Sequence, residues 1–390
     1  MTTISARIDS ALKAAVDAHQ LPGCVAAVFD HTATLYSAAF GVRALDTGTP
    51  MTVDTVFRLA SMTKAITSIA AMQLVEQHKL ALDQPVAQVL PEFGKLKVLT
   101  GFYGEHPALR APARPATLRH LLTHTSGLAY EFWNAPLARW LQVTNTAGIL
   151  AGTLAGLTAP LTRDPGAAWV YGSSTDWVGR MVEAVSGKSL DVYLEESLLG
   201  PLGMHETRFE PTAAMRSRMA GITARDPNGA LAALPFEWPD THEYWNGGHR
   251  LHSTAADYTR FVQMLLNRGT FNGFQALKPA TVDLTHENHI GELMVTNLET
   301  VAPTFTANAE FFPGLKKKHG LAYMLNAEPA PGRRATGSGY WAGVFNTFFW
   351  FDPHHKLGAI LLTQTLPFAD AVTMAVLDSF EAAVYATFRA

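Results

Sequence analysis

The chain has 390 residues, longer than one average domain, so one composite domain or two are expected. With 48% hydrophobic and 16% charged residues it builds a substantial core and is not a disordered chain. A net charge of −3 gives no electrostatic footprint for nucleic acid, and the one basic cluster, Lys316-Lys317-Lys318-His319, reads as a solvated turn.

Residues 4 to 19 carry Ile4, Ile8, Ala11, Leu12, Ala15 and Val16 at helical spacing. Before them, the first residues lack the basic start and apolar core of a leader peptide. Two strand-like runs follow, Val25 to Phe29 and Thr34 to Phe40. Cys24, the single cysteine, excludes an intramolecular disulfide and a zinc–thiolate cluster, and its apolar neighbours predict a buried thiol. A helix is predicted from Ser61 to His78, apolar on more than one side and therefore central. From residue 85 prolines and glycines break the pattern into short helical pieces. Leu118 to Leu128 reads as a helix stopped by Gly127, and Trp177 to Ser186 and Leu190 to Leu198 as further helices. Strands return at Gly320 to Leu325, Val344 to Phe351 and Leu357 to Thr363, and Ala369 to Phe388 closes the chain as a helix. The expected architecture is an α/β (α+β) sandwich, an antiparallel sheet flanked by helices. Residues 1–85 and 240–390 would form the α/β part, 86–239 an inserted mainly helical domain, with the active site between them. No segment approaches the ~18 uninterrupted apolar residues of a membrane span, so a cytoplasmic protein with neither membrane nor nucleic-acid partners is expected.

Chemistry concentrates at Ser61-Met62-Thr63-Lys64. Serine and lysine three apart share one helix face. A serine hydroxyl needs a base, and a lysine serves once burial lowers its pKa from about 10.4. The helix N-terminus adds free backbone N–H groups where an oxyanion would form. Any Ser/Thr/Lys-rich helix holds such a tetrapeptide, so the context carries the weight. A second element is Tyr171-Gly172-Ser173, whose phenol would be lowered by a nearby ammonium and so relay the serine proton, though a packed tyrosine looks the same. A third is Gly337-Ser338-Gly339-Tyr340-Trp341-Ala342-Gly343-Val344, a small-residue turn leading into a strand whose N–H would complete an oxyanion hole.

In this order the three elements resemble the serine β-lactamase and penicillin-binding-protein superfamily, with its Ser-x-x-Lys, Tyr-x-Asn/Ser and Lys/His-Thr/Ser-Gly motifs. Trp341-x-Gly343 in the last position is similar to the family VIII carboxylesterases of the class C-related branch. Leu121–Leu128, Gly247-Gly248 and Ser253–Tyr258 add to the resemblance, which covers residues 10 to 385. It implies Ser61 as nucleophile, Lys64 with Tyr171 as its base system, and the backbone N–H groups of Ser61 and Val344 as oxyanion hole. Substrate would be met by Trp341, Ser173, Gly343, Tyr130, Trp245 and His249, with Phe132 and Trp133 as further wall or core. No metal or cofactor is implied; the substrate is a small ester. An indole in place of a cation favours uncharged, apolar, short-chain esters, giving a serine carboxylesterase. β-Lactam or D-amino-acid amide hydrolysis and acyl transfer to an alcohol remain open on the same scaffold. No Gly-x-Ser-x-Gly elbow supports a Ser-His-Asp hydrolase. His124 is expected to brace its loop by hydrogen bonds, and His249 and His252 to flank an element bordering the site.

Overall fold

The computed structural model describes residues 4–388; Met1, Thr2 and Thr3, at the head of the stretch read for a leader, lie outside the described residues. Its centre is an eight-stranded sheet. In chain order the strands are β1 (Gly23–Asp30), β2 (Thr34–Ala44), β3 (Thr49–Pro50), β4 (Lys317–His319), β5 (Met324–Asn326), β6 (Gly339–Gly343), β7 (Thr347–Asp352) and β8 (Leu357–Leu362). They lie side by side as β4-β5-β6-β7-β8-β1-β2-β3, and every neighbouring pair is antiparallel. The first three strands thus pair with the last through β1 and β8, so both ends of the chain build one sheet.

Helices cover both faces, which explains why strands such as Thr347–Asp352 are buried throughout and carry the unbroken aromatic run Phe348–Phe351 instead of alternating. Neighbouring side chains point to opposite faces. Phe349 meets Tyr258 of α4 (Ala255–Leu266) at 5.1 Å between ring centroids, while Trp350 meets Phe380 of α5 (Ala371–Phe388) at 5.4 Å. The α5 helix packs against α1 (Ile4–Asp17). Cys24 is buried in β1, and burial pushes its thiol up to about 12, as expected of an inert structural cysteine.

The segment between carries α2 (Thr63–Glu76), packed against α3 (Ser174–Ser186), with the hairpin Val98–Tyr103/His106–Arg110 and the strands Ile222–Arg225 and Leu231–Leu234 beside short helices. All residues of α2 from Thr63 to Leu74 are buried, so its lack of a polar face reflects neighbours on every side.

Several boundaries differ from the sequence reading, three of them with a clear local cause. The helix at Leu118 ends at Leu122, because Thr123 turns its hydroxyl back onto the Arg119 carbonyl (2.8 Å) and His124 enters the left-handed region (φ 55°). The late strands are tighter hairpins than predicted: Gly320 sits in the β4–β5 turn, and Val344-Phe345-Asn346 is the β6–β7 turn, with Asn346 at φ 58°. The glycine-rich run before Val344 is therefore itself a strand. Lys317 and His319 are buried residues of β4, not part of a solvated turn.

Candidate active site

Ser61 lies in a 3-10 turn, Ala60–Met62, that leads into α2 two residues later than predicted. Ala60 has φ 48°, an uncommon conformation for a residue with a side chain, and the surroundings hold it there. The Leu59 N–H donates to the Leu251 carbonyl (2.9 Å), and the Leu59 carbonyl accepts from the Thr347 hydroxyl (3.0 Å). The Tyr258 phenol donates to the Met62 carbonyl (2.9 Å). The turn bearing the nucleophile candidate is thus fixed by β7, α4 and the segment before α4.

Lys64 is buried beneath Ser61. Its Nζ donates to the Gly248 carbonyl (2.7 Å), the Tyr130 phenol (2.9 Å) and Ser61 Oγ (3.1 Å). A carbonyl can only accept, so one N–H is committed to Gly248. The two hydroxyls can reverse their roles, so the lone pair of a neutral amine is directed at Ser61 or Tyr130. Burial lowers the Lys64 amine to about 7, opposed by the Asp176 carboxylate.

The two tyrosines differ from expectation. Burial raises the Tyr171 phenol well above its ordinary value. The Ser61 hydroxyl and the Trp341 indole beside it pull the other way, and Asp176 adds to the rise. The predicted lowering by the lysine is not met, because desolvation disfavours a phenolate more than neighbours favour it. Tyr171 therefore has a proton to give. Tyr130, predicted to meet substrate, is the residue hydrogen-bonded to Lys64, and the lysine Nζ stands 5.1 Å from both tyrosine ring centroids.

Trp341 on β6 faces these groups. Its ring lies parallel to that of His124 (5.7 Å, 5°) and edge-on to Tyr171 (5.3 Å). The His124 ring stacks on Trp341 while its Nδ1 finds no partner among the described residues, and the loop is braced through its backbone, whose carbonyl accepts from Val170 (2.7 Å). Burial, His319 and Lys64 all hold it neutral.

Ser61, Tyr171, Trp341, Ala342, Gly343 and Val344 line one side of a cleft. Apolar side chains including Phe132, Trp133, Trp169, Leu298, Phe311, Met324 and Phe368 complete the lining. The cleft holds about 610 Å³ of empty space, part of it open to solvent. Glu310 and Lys317 are the charged residues lining it, and they pair with each other (3.4 Å).

Of the predicted contact residues, Trp341 and Gly343 line this cleft. Ser173, at the N-cap position of α3 without a side-chain capping bond, is not among the cleft residues, Trp245 packs against Phe209 and His242, and His249 lies behind Lys64, 3.7 Å from Asp176. His252 pairs its Nδ1 with the Phe209 carbonyl (3.1 Å).

Residues 8–382 match the Beta-lactamase family model. The chain belongs to the beta-lactamase family. Over 98% of this chain it is 32% identical to lovastatin esterase of Penicillium rubens, covering 99% of that protein. It is also 32% identical to monacolin J acid methylbutanoyltransferase of Aspergillus terreus, over 98% of this chain and 96% of that one. Among solved structures, unliganded simvastatin synthase (LovD) from Aspergillus terreus superposes with a TM-score of 0.83 at 30% identity, covering 99% of each chain. The sandwich fold is the beta-lactamase fold, and the chain is an enzyme of its serine hydrolase/acyltransferase family.

Within this beta-lactamase-family fold, the sequence missed the phenylalanines of the cleft lining, Phe311 and Phe368, and the Glu310–Lys317 pair. Their meeting depends on long-range contacts of residues 295–317, such as the Ala307 N–H on the Phe368 carbonyl (2.7 Å), and no local pattern encodes that path.

Proposed function

We propose that the protein is a serine acyltransferase and esterase that takes an acyl group from an uncharged ester onto Ser61 and delivers it to an alcohol or to water. The lysine-lined serine facing an apolar cleft carries this reading: a neutral Lys64 amine within hydrogen-bond reach of Ser61 Oγ is a base ready at neutral pH. Ser61 loses its proton to Lys64 as Oγ attacks the ester carbonyl. The N–H groups of Ser61 and Val344 receive the oxyanion, each worth about 3 kcal/mol. Tyr171, protonated and beside Ser61, returns a proton to the departing alcohol, and Lys64 replenishes it. Deacylation reverses these steps, with an incoming hydroxyl giving its proton to the same pair.

Two observations favour an alcohol as acceptor over water. The similar proteins include a methylbutanoyltransferase, and the cleft wall is apolar with its two charged residues paired to each other, so few groups hold a hydrolytic water. Trp341, where β-lactamases carry a cation, supports the neutral ester and the family VIII carboxylesterase branch.

The test is release of p-nitrophenol from p-nitrophenyl butyrate with and without an added primary alcohol, beside a chromogenic cephalosporin. Butyrate transfer to the alcohol, little lactam opening and loss of turnover in Ser61→Ala are expected. Dominant lactam opening moves the assignment to a β-lactamase, and turnover surviving in Ser61→Ala removes the nucleophile.

A further inference from the structure

Behind Lys64, on the side away from the cleft, lies a carboxylate that the reaction above does not use. Asp176 sits in the first turn of α3 with no exposure to solvent. Its Oδ1 accepts the Gly248 N–H (3.1 Å), and the carbonyl of the same glycine accepts from Lys64 Nζ (2.7 Å). A single residue therefore ties carboxylate to amine. Only glycine fits there, since a β-carbon at 248 would stand 2.5 Å from Asp176 Oδ2.

Oδ2 has no hydrogen-bond partner among the described residues. Burial raises this carboxyl to about 6, while Lys64 and the Gly248 N–H draw it down, so it is ionised at neutral pH yet poorly satisfied, and a counter-charge stabilises it. The groups around it do not supply one apart from Lys64. His249 Nδ1 is 3.7 Å away, but burial, Lys64 and Arg250 lower its imidazole to about 3, so it is neutral. Arg250 turns to Glu210 and the Pro239 carbonyl (3.0 and 2.8 Å). Tyr244 is a neutral phenol, raised by burial and by Asp176 itself.

We propose that Asp176 is a positioning residue for Lys64: through Gly248 it orients the amine, and its charge stabilises the ammonium that forms when Lys64 takes the serine proton. The proposal rests on Lys64 being the base. The proton moves from Ser61 Oγ to Lys64 Nζ, turning a solitary buried anion into an ion pair, so charge is better compensated at the transition state than before it.

The experiment is the pH dependence of kcat/KM for p-nitrophenyl butyrate in wild type, Asp176→Asn and Asp176→Ser, with a thermal melt of each. Serine is smaller than asparagine and its hydroxyl can still accept from Gly248, which covers the case that the asparagine variant does not fold. Without the anion, burial lowers Lys64 further, so the acid limb moves to lower pH by about one unit. The plateau falls about tenfold or more, since a weaker base drives proton transfer less. A lower melting temperature with the limb unmoved assigns Asp176 a purely structural role and overturns the proposal. Ser61→Ala separates the two readings: if it stays active, the site assignment itself has failed; if it is dead and the limb does not move, only the role of Asp176 has.

Discussion

The carbonyl oxygen of Leu59 occupies the space in which a side chain on residue 343 would begin. A β-carbon at Gly343 would collide with that oxygen and with Thr347 Oγ1, and would stand 3.2 Å from the Ala60 β-carbon. This close approach brings β6 against the Ser61 turn, and Val344, which follows Gly343, lines the same cleft as Ser61. Gly343→Ala is therefore expected to separate the two segments, costing about 1–3 kcal/mol of stability by overpacking. The larger effect is on rate: misplacing one oxyanion donor lowers kcat about 10²-fold or more. Denaturant melts and steady-state rates check both, and a variant with wild-type kcat would show that Val344 does not serve the oxyanion.

The acid limb of wild-type activity is set by Lys64. The attacking form needs a neutral amine, and burial lowers this amine to about 7. For a neutral ester, kcat/KM is expected to rise with pH up to a midpoint near 7 and then level off. His124 and His249 are held neutral well below that range and do not contribute. A midpoint near 10 would mean that the lysine is not desolvated in solution.

Much of this was legible in the sequence, and the reasons differ by element. The Ser61–Lys64 pair was legible because a helix fixes residues three apart on one face. The strand Thr347–Asp352 was legible because a run of Phe and Trp has few alternatives to burial. Tyr130 was misjudged as a cleft residue. Its contact with Lys64 joins residues 66 apart in the chain, and no local period reports such a distance. The Tyr171 phenol was expected to be lowered because charge was considered without burial, and burial prevails. His249 and Trp245 were expected to meet substrate, yet neither lines the cleft, and the Gly247-Gly248 segment beside them presents its Gly248 carbonyl to Lys64.

Tyr130→Phe isolates the phenol on the lysine. It removes one of the three acceptors of Lys64 Nζ and leaves the ring packed on Phe132 at 4.9 Å, so the fold should persist. Losing a group that stabilises the ammonium lowers the Lys64 pKa, so the acid limb moves to lower pH, and kcat falls about 10²-fold as the amine loses orientation. Tyr171→Phe is expected to lower kcat similarly without that shift, because Tyr171 is not among the hydrogen-bond partners of Lys64 Nζ and exchanges a proton with it only during turnover. Identical pH profiles for the two variants would contradict this division of labour.

The pair Arg334–Glu381 gives a prediction on stability alone. Both side chains are buried, joined by two hydrogen bonds of 2.9 and 2.7 Å, and the guanidinium stacks near Phe312, Tyr340 and Trp350 at 4.5–5.0 Å. Tyr340 lies on the face of β6 opposite Trp341, so the pair braces the sheet from the side away from the cleft. Glu381→Gln leaves a buried cation without its counter-charge, which costs about 3–5 kcal/mol, whereas replacing both partners removes the desolvation of both charges together. The double variant Arg334→Met/Glu381→Met is therefore expected to be more stable than either single one, and the folded Glu381→Gln protein to keep wild-type kcat at 25 °C. Urea melts of wild type, Arg334→Met, Glu381→Met and the double variant form the cycle. Additive losses would mean that the two charges act independently, against the geometry that joins them.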